Sequence, residues 1–175
     1  AELLRILHDF KLEYADNAAL SKWFPDIAAA YPGRYEKTGL ADLCASMHAY
    51  LKQADIMRRS ASLYSELPVQ AVAPHKAYYG LSEGKTEYVR LADAPGRVSV
   101  FMVLPYPPGV PVIMPGERFP AADSPVMRFL LLNEEFDNLF PGFETEFHGV
   151  KKTWENGKTV YWVSVLNKTK KGKAA

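Results

Sequence analysis

Leu3, Leu4, Leu7, Phe10 and Tyr14 recur at helical spacing between charged neighbours, so the opening segment predicts an amphipathic helix. Pro25 and the Pro32-Gly33 pair interrupt that pattern. It resumes after Thr38, a suitable N-cap, with Asp42 in the first turns to favour the helix dipole. Leu40, Leu43, Met47, Tyr50, Leu51 and Ala54 then form one apolar face. A shorter helical continuation through Ala61 to Glu66 stops before Pro68, and Pro74 stands where it would open another helix ending near Gly84.

After Gly84 the period changes from helical to extended. Glu87 to Leu91 predicts a strand, Ala94-Pro95-Gly96 a turn, and the nearly all-apolar run Val98 to Leu104 a strand covered on both faces. A corner of four prolines and one glycine, Pro105 to Pro111, leads into a second β-competent run, Val110 to Met114. Asp123-Ser124-Pro125 restarts a helix whose apolar residues include Val126, Phe129, Leu130, Phe136, Leu139 and Phe140, and Pro141-Gly142 ends it. Lys151–Trp154 and Thr159–Leu166 flank Glu155-Asn156-Gly157-Lys158, where Asn-Gly favours the type I′ turn of a hairpin. Helices crowd into the first half and strands into the second. The expected class is therefore α+β: a helical first half, then a small, mostly antiparallel or mixed sheet with a packed helix and a C-terminal hairpin.

Composition narrows this picture. The 175 residues are 48% hydrophobic and 23% charged, enough to bury a core. A formal net charge of +1 supplies no field that would select nucleic acid or a membrane surface as partner. A single cysteine, Cys44, excludes an internal disulfide and suits a reducing cytoplasm. Charges at Glu2, Arg5, Asp9 and Lys11 break any signal-peptide core, and prolines cut the longest apolar run before it could span a bilayer. The run Lys168 to Lys173 has nothing apolar to bury and no aromatic residue to stack on bases, which predicts a mobile basic tail over 167–175. The opening residue, Ala1, leaves both a whole protein and an excised part open, and the rest of the sequence favours a part.

Five groups carry potential chemistry. His75-Lys76 resembles the dipeptide that holds pyridoxal phosphate, but no phosphate cup or acidic partner for the pyridine nitrogen can be assembled around it, so it reads as a surface pair at a helix start. Glu144, Glu146 and His148 alternate and would share one face of an extended chain. They offer a metal or proton-transfer site, or simply the wet side of a strand that buries Phe143, Thr145 and Phe147. Cys44 and His48 make half a zinc site with no second half. Trp154 and Trp162 read as core or cross-strand partners. Tyr106 and Glu117, at either end of the proline corner, admit two readings: a braced corner with Tyr106 packed and Glu117 capping a turn, or a phenol and a carboxylate at the rim of a pocket for a cationic group.

The run Leu104-Pro-Tyr-Pro-Pro-Gly-Val-Pro-Val-Ile-Met-Pro-Gly-Glu117 closely resembles the C-terminal region of the bacterial ornithine/lysine/arginine decarboxylases. Further matching pieces follow the family's order: Ser65-Glu-Leu-Pro68, Ala73-Pro74, Gly96-Arg97-Val98 and Phe140-Pro-Gly-Phe-Glu-Thr-Glu-Phe-His-Gly149. The resemblance implies a helical approach segment over 1–37 and the family's C-terminal domain over 38–166. It also implies an enzyme that uses pyridoxal phosphate as an electron sink to remove the α-carboxylate of a basic amino acid, making polyamine precursors.

The cofactor cup and its lysine belong to a large upstream domain that this chain does not contain, so the resemblance implies no catalytic, cofactor-binding or metal-binding residue here. Neither pyridoxal phosphate nor a metal is expected on this chain alone. Implied partners are the upstream domain of the same enzyme and a homodimer or larger ring, not nucleic acid or membrane. The family's matching tyrosine lies near the substrate entrance of an active site built at a dimer interface, which implies that place for Tyr106 and a supporting place nearby for Glu117. The segment Pro141–Gly149 looks most like lysine-type members, so lysine is the first expected substrate, arginine the second and ornithine the third. The competing expectation is a non-enzymatic module whose proline corner and hairpin bind a protein.

Overall fold

The computed structural model describes residues 2–106 and 109–168. The basic tail expected over 167–175 therefore lies outside the described residues from 169 onward. Two compact units divide the chain, Ala1–Ile56 and Met57–Ala175, whereas the family resemblance implies a boundary between residues 37 and 38. The difference has a local cause, because the helix after Thr38 is tied back to what precedes it. Leu20 N–H donates to Thr38 O and Leu40 N–H to Ala18 O, each at 2.9 Å, around a bridge between Ala19 and Gly39.

The first unit is all helical: α1 (Glu2–Ala15), three short helices α2 (Leu20–Trp23), α3 (Pro25–Ala30) and α4 (Pro32–Tyr35), and α5 (Leu40–Gln53). Pro25 and Pro32, which break the periodic pattern, each occupy the first turn of a new helix, where a missing N–H costs nothing. The cap of α5 also differs from expectation. Gly39 is its N-cap, and the free N–H groups of Ala41 and Asp42 donate to the Asn17 side-chain oxygen at 3.0 and 3.2 Å. Thr38 instead turns its hydroxyl back to Arg34 O. The amphipathic helix α1 forms as expected, but none of its residues is buried; Leu3 and Leu4 are about 70% exposed. Its apolar stripe meets the unit at Phe10, edge-on to Trp23.

In the second unit, α6 (Ile56–Ala61) and α7 (Pro74–Ser82) precede the strands β1 (Thr86–Arg90) and β2 (Leu104–Tyr106). Then come α8 (Pro125–Leu139), β3 (Glu146–His148), β4 (Val150–Glu155) and β5 (Lys158–Leu166). An antiparallel sheet of order β1-β5-β4 and a two-stranded ribbon β2-β3 confirm the α+β class. Asn156 and Gly157 both have positive φ, as the hairpin turn requires. The helical continuation through Ala61 to Glu66 ends at Ala61 and gives way to turns.

The expected strand Val98 to Leu104 is broken. Val98–Val100 lie along β5 beyond the start of β4, with Val100 N–H donating to Ser164 O and Leu166 N–H to Val98 O. The Ser99 hydroxyl then donates to Phe101 O at 2.6 Å, which bends the chain toward the ribbon. Val110 to Met114 likewise contributes one bridge, at Ile113, because Pro111 and Pro115 lack the donors a ladder needs.

Tyr161, Val163 and Val165 of β5 pack inward with Val103, Ile113, Phe119, Met127 and Leu130 to make the core. Each such side chain contributes roughly 1.5–3 kcal/mol on full burial. Ser124 caps α8, accepting from Met127 N–H, and Pro125 opens it, as the sequence pattern indicates.

The pattern does not signal the fully buried Asp137 on that helix's inner face. Its carboxylate accepts from Lys152 Nζ at 2.7 Å, Thr145 N–H at 2.9 Å and the Tyr161 hydroxyl. Lys152 also donates to Thr145 O and sits 5.0 Å from the Tyr161 ring centroid. Burial, and then the neighbouring Asp137 carboxylate, push the Tyr161 phenol well above its ordinary range, so it remains a donor. One turn earlier, Glu134 accepts from Tyr161 N–H at 2.9 Å. Burial raises its carboxyl above the usual value, partly offset by that N–H and by Arg90.

On the outer face of the sheet, Glu155 gathers the Thr153 hydroxyl, the Trp162 indole N–H and Arg90 at 2.7 to 2.9 Å. These donors hold its carboxyl below the usual value, the Thr153 hydroxyl most strongly, against a smaller cost of desolvation.

Replacing Asp137 with Ala strands a half-buried ammonium and a buried phenol, so urea denaturation of Asp137→Ala should show a loss of roughly 3 kcal/mol, the low end for a broken buried pair. Asp137→Asn, which keeps an acceptor for Thr145, loses less. The two glutamates carry opposite signs of pH dependence. Stability from Glu155 is present above the ordinary value of 4.5 and is lost as pH falls through its lowered folded-state pKa. Stability from Glu134 is present below 4.5 and is lost as pH rises through its raised one. Glu155→Gln should therefore flatten the acid limb of a stability profile, and carboxyl NMR titration should place Glu134 above 4.5 and Glu155 below it.

Candidate functional site

The proline corner is a loop with a closed neck. Val103 N–H donates to Ile113 O and Val112 N–H to Val103 O, both at 2.9 Å, and Val103 and Ile113 have no exposure. The neck is thus rooted in the core while the loop projects from it. Pro107 and Pro108 lie outside the described residues, but the closure around them is visible: Gly109 N–H donates to Pro105 O at 2.9 Å, and the Tyr64 hydroxyl to Val110 O at 3.2 Å. Gly116 ends the corner with φ +84°, and a Cβ there would stand 2.2 Å from Val72 O, so no other residue fits without displacing backbone.

Tyr106 closes strand β2. The ribbon pairs Leu104 with His148, Pro105 with Phe147 and Tyr106 with Glu146. Directly paired residues share a face, so the buried Pro105 and Phe147 turn inward and Tyr106 and Glu146 turn outward together. Tyr106 is 56% exposed, beside prolines that fix its backbone. His148 Nε2 lies 3.4 Å from Glu146 Oε1, with both side chains more than half exposed. A phenol, a carboxylate and an imidazole therefore line one outward edge, an arrangement able to receive an ammonium or guanidinium group.

Glu117 is employed differently. Its carboxylate accepts from Met114 N–H at 2.7 Å and its own N–H donates to Met114 O, closing the turn that ends the corner. The sequence couples Tyr106 with Glu117 across the prolines, whereas the ribbon's register brings Glu146 to Tyr106. The alternation of Glu144, Glu146 and His148 is the signal for that face, but their pairing with β2 cannot be read from local pattern.

The remaining candidates separate. Glu144 lies outside β3 and accepts from Gly142 N–H, while Glu146 and His148 flank the buried Phe147. Among the described residues, no group of three or more His, Cys, Asp or Glu side chains is placed to hold a metal. Cys44 is half-buried and His48 exposed on α5. Trp162 is a cross-strand partner through its bonds to Thr153 and Glu155, but Trp154 is 61% exposed.

His75 and Lys76 are exposed at the first turn of α7, with His75 beside the Tyr79 ring, and so provide no pyridoxal phosphate site. A cleft of ≈620 Å³ includes Lys151 among its lining residues, yet that lining is otherwise mostly aromatic and aliphatic, with no carboxylate for a pyridine nitrogen. The lining of that cleft therefore does not fit that cofactor. No helix among the described residues is long and apolar enough to cross a membrane.

Comparison with known proteins covers both units. Residues 57–167 match the family described as "Orn/Lys/Arg decarboxylase, C-terminal domain". The constitutive lysine decarboxylase of Escherichia coli is 37% identical over 94% of this chain and 23% of its own length. The biodegradative arginine decarboxylase of Escherichia coli is 36% identical over 85% of this chain and 20% of its own. Among solved structures, lysine decarboxylase A from Pseudomonas aeruginosa superposes with a TM-score of 0.85 at 35% identity, covering 95% of this chain and 22% of that one. The chain thus spans about a fifth of the length of these relatives.

The turn geometry separates two roles for Glu117. Glu117→Ala should lower stability by about 1 kcal/mol through loss of the acceptor for Met114 N–H. Glu117→Gln, whose amide oxygen can accept in its place, should keep most of it, as thermal unfolding of the three proteins would reveal.

Proposed function

The chain belongs to the Orn/Lys/Arg decarboxylase family through its C-terminal domain, and from that premise we propose that it serves a basic amino-acid decarboxylase by shaping the entrance to the active site. The observation that carries this reading is Tyr106: a large aromatic side chain held outward beside Glu146, on a loop whose neck is buried. A substrate bearing a side-chain cation would meet the phenol and the carboxylate before it reached the reacting centre. Glu117 supports this place indirectly by fixing the end of the corner.

Decarboxylation needs an acceptor for the electron pair left when the α-carboxylate departs, and pyridoxal phosphate supplies that chemistry when bound. Its pocket and lysine belong to sequence outside this chain, so the domain alone is inactive. The active protein is a cytoplasmic enzyme assembled as a dimer or larger ring, with residues 1–37 leading from the cofactor domain. Lysine is the leading substrate, ahead of arginine and ornithine. Relatives named for lysine and for arginine are about equally similar, so substrate order rests on the Pro141–Gly149 segment.

In the full-length enzyme, Tyr106→Ala should raise KM or lower kcat/KM for lysine by about tenfold, roughly 1.4 kcal/mol of transition-state stabilisation, with an unchanged unfolding midpoint. Unaltered kinetics would return Tyr106 to a purely structural role. Measuring kcat/KM for lysine, arginine and ornithine with the same preparation tests the order of substrates.

A further inference from the structure

The cleft of ≈620 Å³ in the Met57–Ala175 unit is a different place from the outward edge that carries Tyr106. It shares His148 with that edge, but neither Tyr106 nor Glu146 lines it. Segments distant in sequence converge there: Tyr78 from α7, Tyr88 from β1, Phe101 and Met102 from the bend after Ser99, and Met114 from the far end of the proline corner. Tyr78, Tyr88, Met102 and Met114 are each about half exposed, beside a Val100 that has no exposure. Single exposed apolar side chains are ordinary, whereas several gathered in one concavity mark a binding surface. One wall is fixed, because Gly149, with φ +79°, lies so close to Met102 O that a Cβ there would collide with it.

The charge of the lining narrows what such a cleft can take. The Tyr78 and Phe101 rings meet edge to face with centroids 6.3 Å apart, and the Met102 and Met114 thioethers add polarisable contacts that favour an aromatic partner. Aromatic rings alone would also suit a cation, but the Lys151 ammonium already lies 5.5 Å from the Tyr88 ring centroid. Lys151 has no ion-pair partner among the described residues, and no carboxylate lines the cleft. A second cation is therefore repelled, while an anion finds an ammonium at the edge of an apolar bed.

We propose that this cleft binds an aromatic monocarboxylate, its ring among Tyr78, Phe101 and the two methionines and its carboxylate on Lys151 Nζ. The volume is that of an ordinary small-molecule pocket. One ammonium supplies a point charge without the fork geometry that arginine offers to phosphate, so a single carboxylate matches it. The same charge disfavours the basic amino acids for which the relatives are named, which makes this a site for a ligand other than the substrate.

Calorimetric titration of the chain with indoleacetate tests this, with tryptamine and hexanoate as parallel titrants. One saturable site is expected for indoleacetate, with tryptamine and hexanoate each weaker by about tenfold or more. Lys151→Met, which keeps an apolar stem and removes the charge, should weaken indoleacetate about tenfold and close the gap to tryptamine. Tyr78→Ala should weaken it to a similar degree; if that variant does not fold, as judged by circular dichroism, Tyr88→Leu replaces it with the same expected loss. Sedimentation of the same samples reads self-association. A chain that self-associates, loses this on Tyr78→Ala and ignores indoleacetate has an interface between copies at the cleft. That outcome, absence of saturable binding, equal affinity for tryptamine or hexanoate, or variants that bind like the parent would each overturn the proposal.

Discussion

Asp137 has no access to water, and the way its charge is satisfied decides how the second unit is assembled. A lone buried carboxylate would cost several kcal/mol. Here it accepts from an ammonium, a phenol and a backbone N–H that come from β4, β5 and the segment before β3. The apolar core tolerates small slides of α8 over the sheet, because hydrophobic contact is non-directional. The carboxylate does not, since moving it by more than a fraction of an ångström breaks directed bonds to three segments. Buried ion pairs as a class add little net stability over well-packed apolar substitutes, whereas the directed bonds of this one tie α8 to three other segments.

That register reaches the outward edge described for the proline corner. Thr145 N–H is bound to Asp137, and Glu146 is the next residue. Fixing Thr145 therefore fixes where β3 begins, and β3 sets Glu146 opposite Tyr106. A buried charge cluster and an exposed pair of polar side chains are mechanically continuous through one peptide unit. The corner is restrained from its other end by the Val103–Ile113 neck and by Glu117, so Tyr106 is held from both sides.

Much of this was legible in the sequence where the signal was local. Ser124-Pro125 starts α8, Asn156-Gly157 turns the hairpin, and the alternation of Tyr161, Val163 and Val165 marks the buried face of β5. What escaped depends on contacts between distant residues. Asn17 caps α5 from 24 residues away, a bond no capping rule written for neighbours could find. The apolar run 98–104 has the composition of a strand, but the Ser99 hydroxyl and the demands of two separate pairings bend it. Asp137 did leave a trace, since it falls on the α8 stripe that contains Met127, Leu130 and Glu134, yet an acid on an apolar stripe names no partner. Residues on the candidate site followed the same division: the prolines announced a rigid loop, and only the ribbon's register paired Tyr106 with Glu146.

The prolines also explain why an exposed aromatic residue can be held in place without packing. Ordering one residue of backbone costs about 1–2 kcal/mol, and a proline lowers that cost by roughly 0.4–1 kcal/mol by restricting the unfolded chain. Proline is dense around Tyr106, with Pro105 before it and Pro107 and Pro108 after it, so the backbone carrying the phenol loses little further entropy when a ligand arrives. A flexible loop with the same side chain would bind more weakly because it would have to be ordered at the moment of contact. A tyrosine buried in the core would be equally ordered but could touch nothing new. Outward exposure combined with a preordered backbone is what distinguishes a contact residue from a packing residue, and in this unit Tyr106 has both.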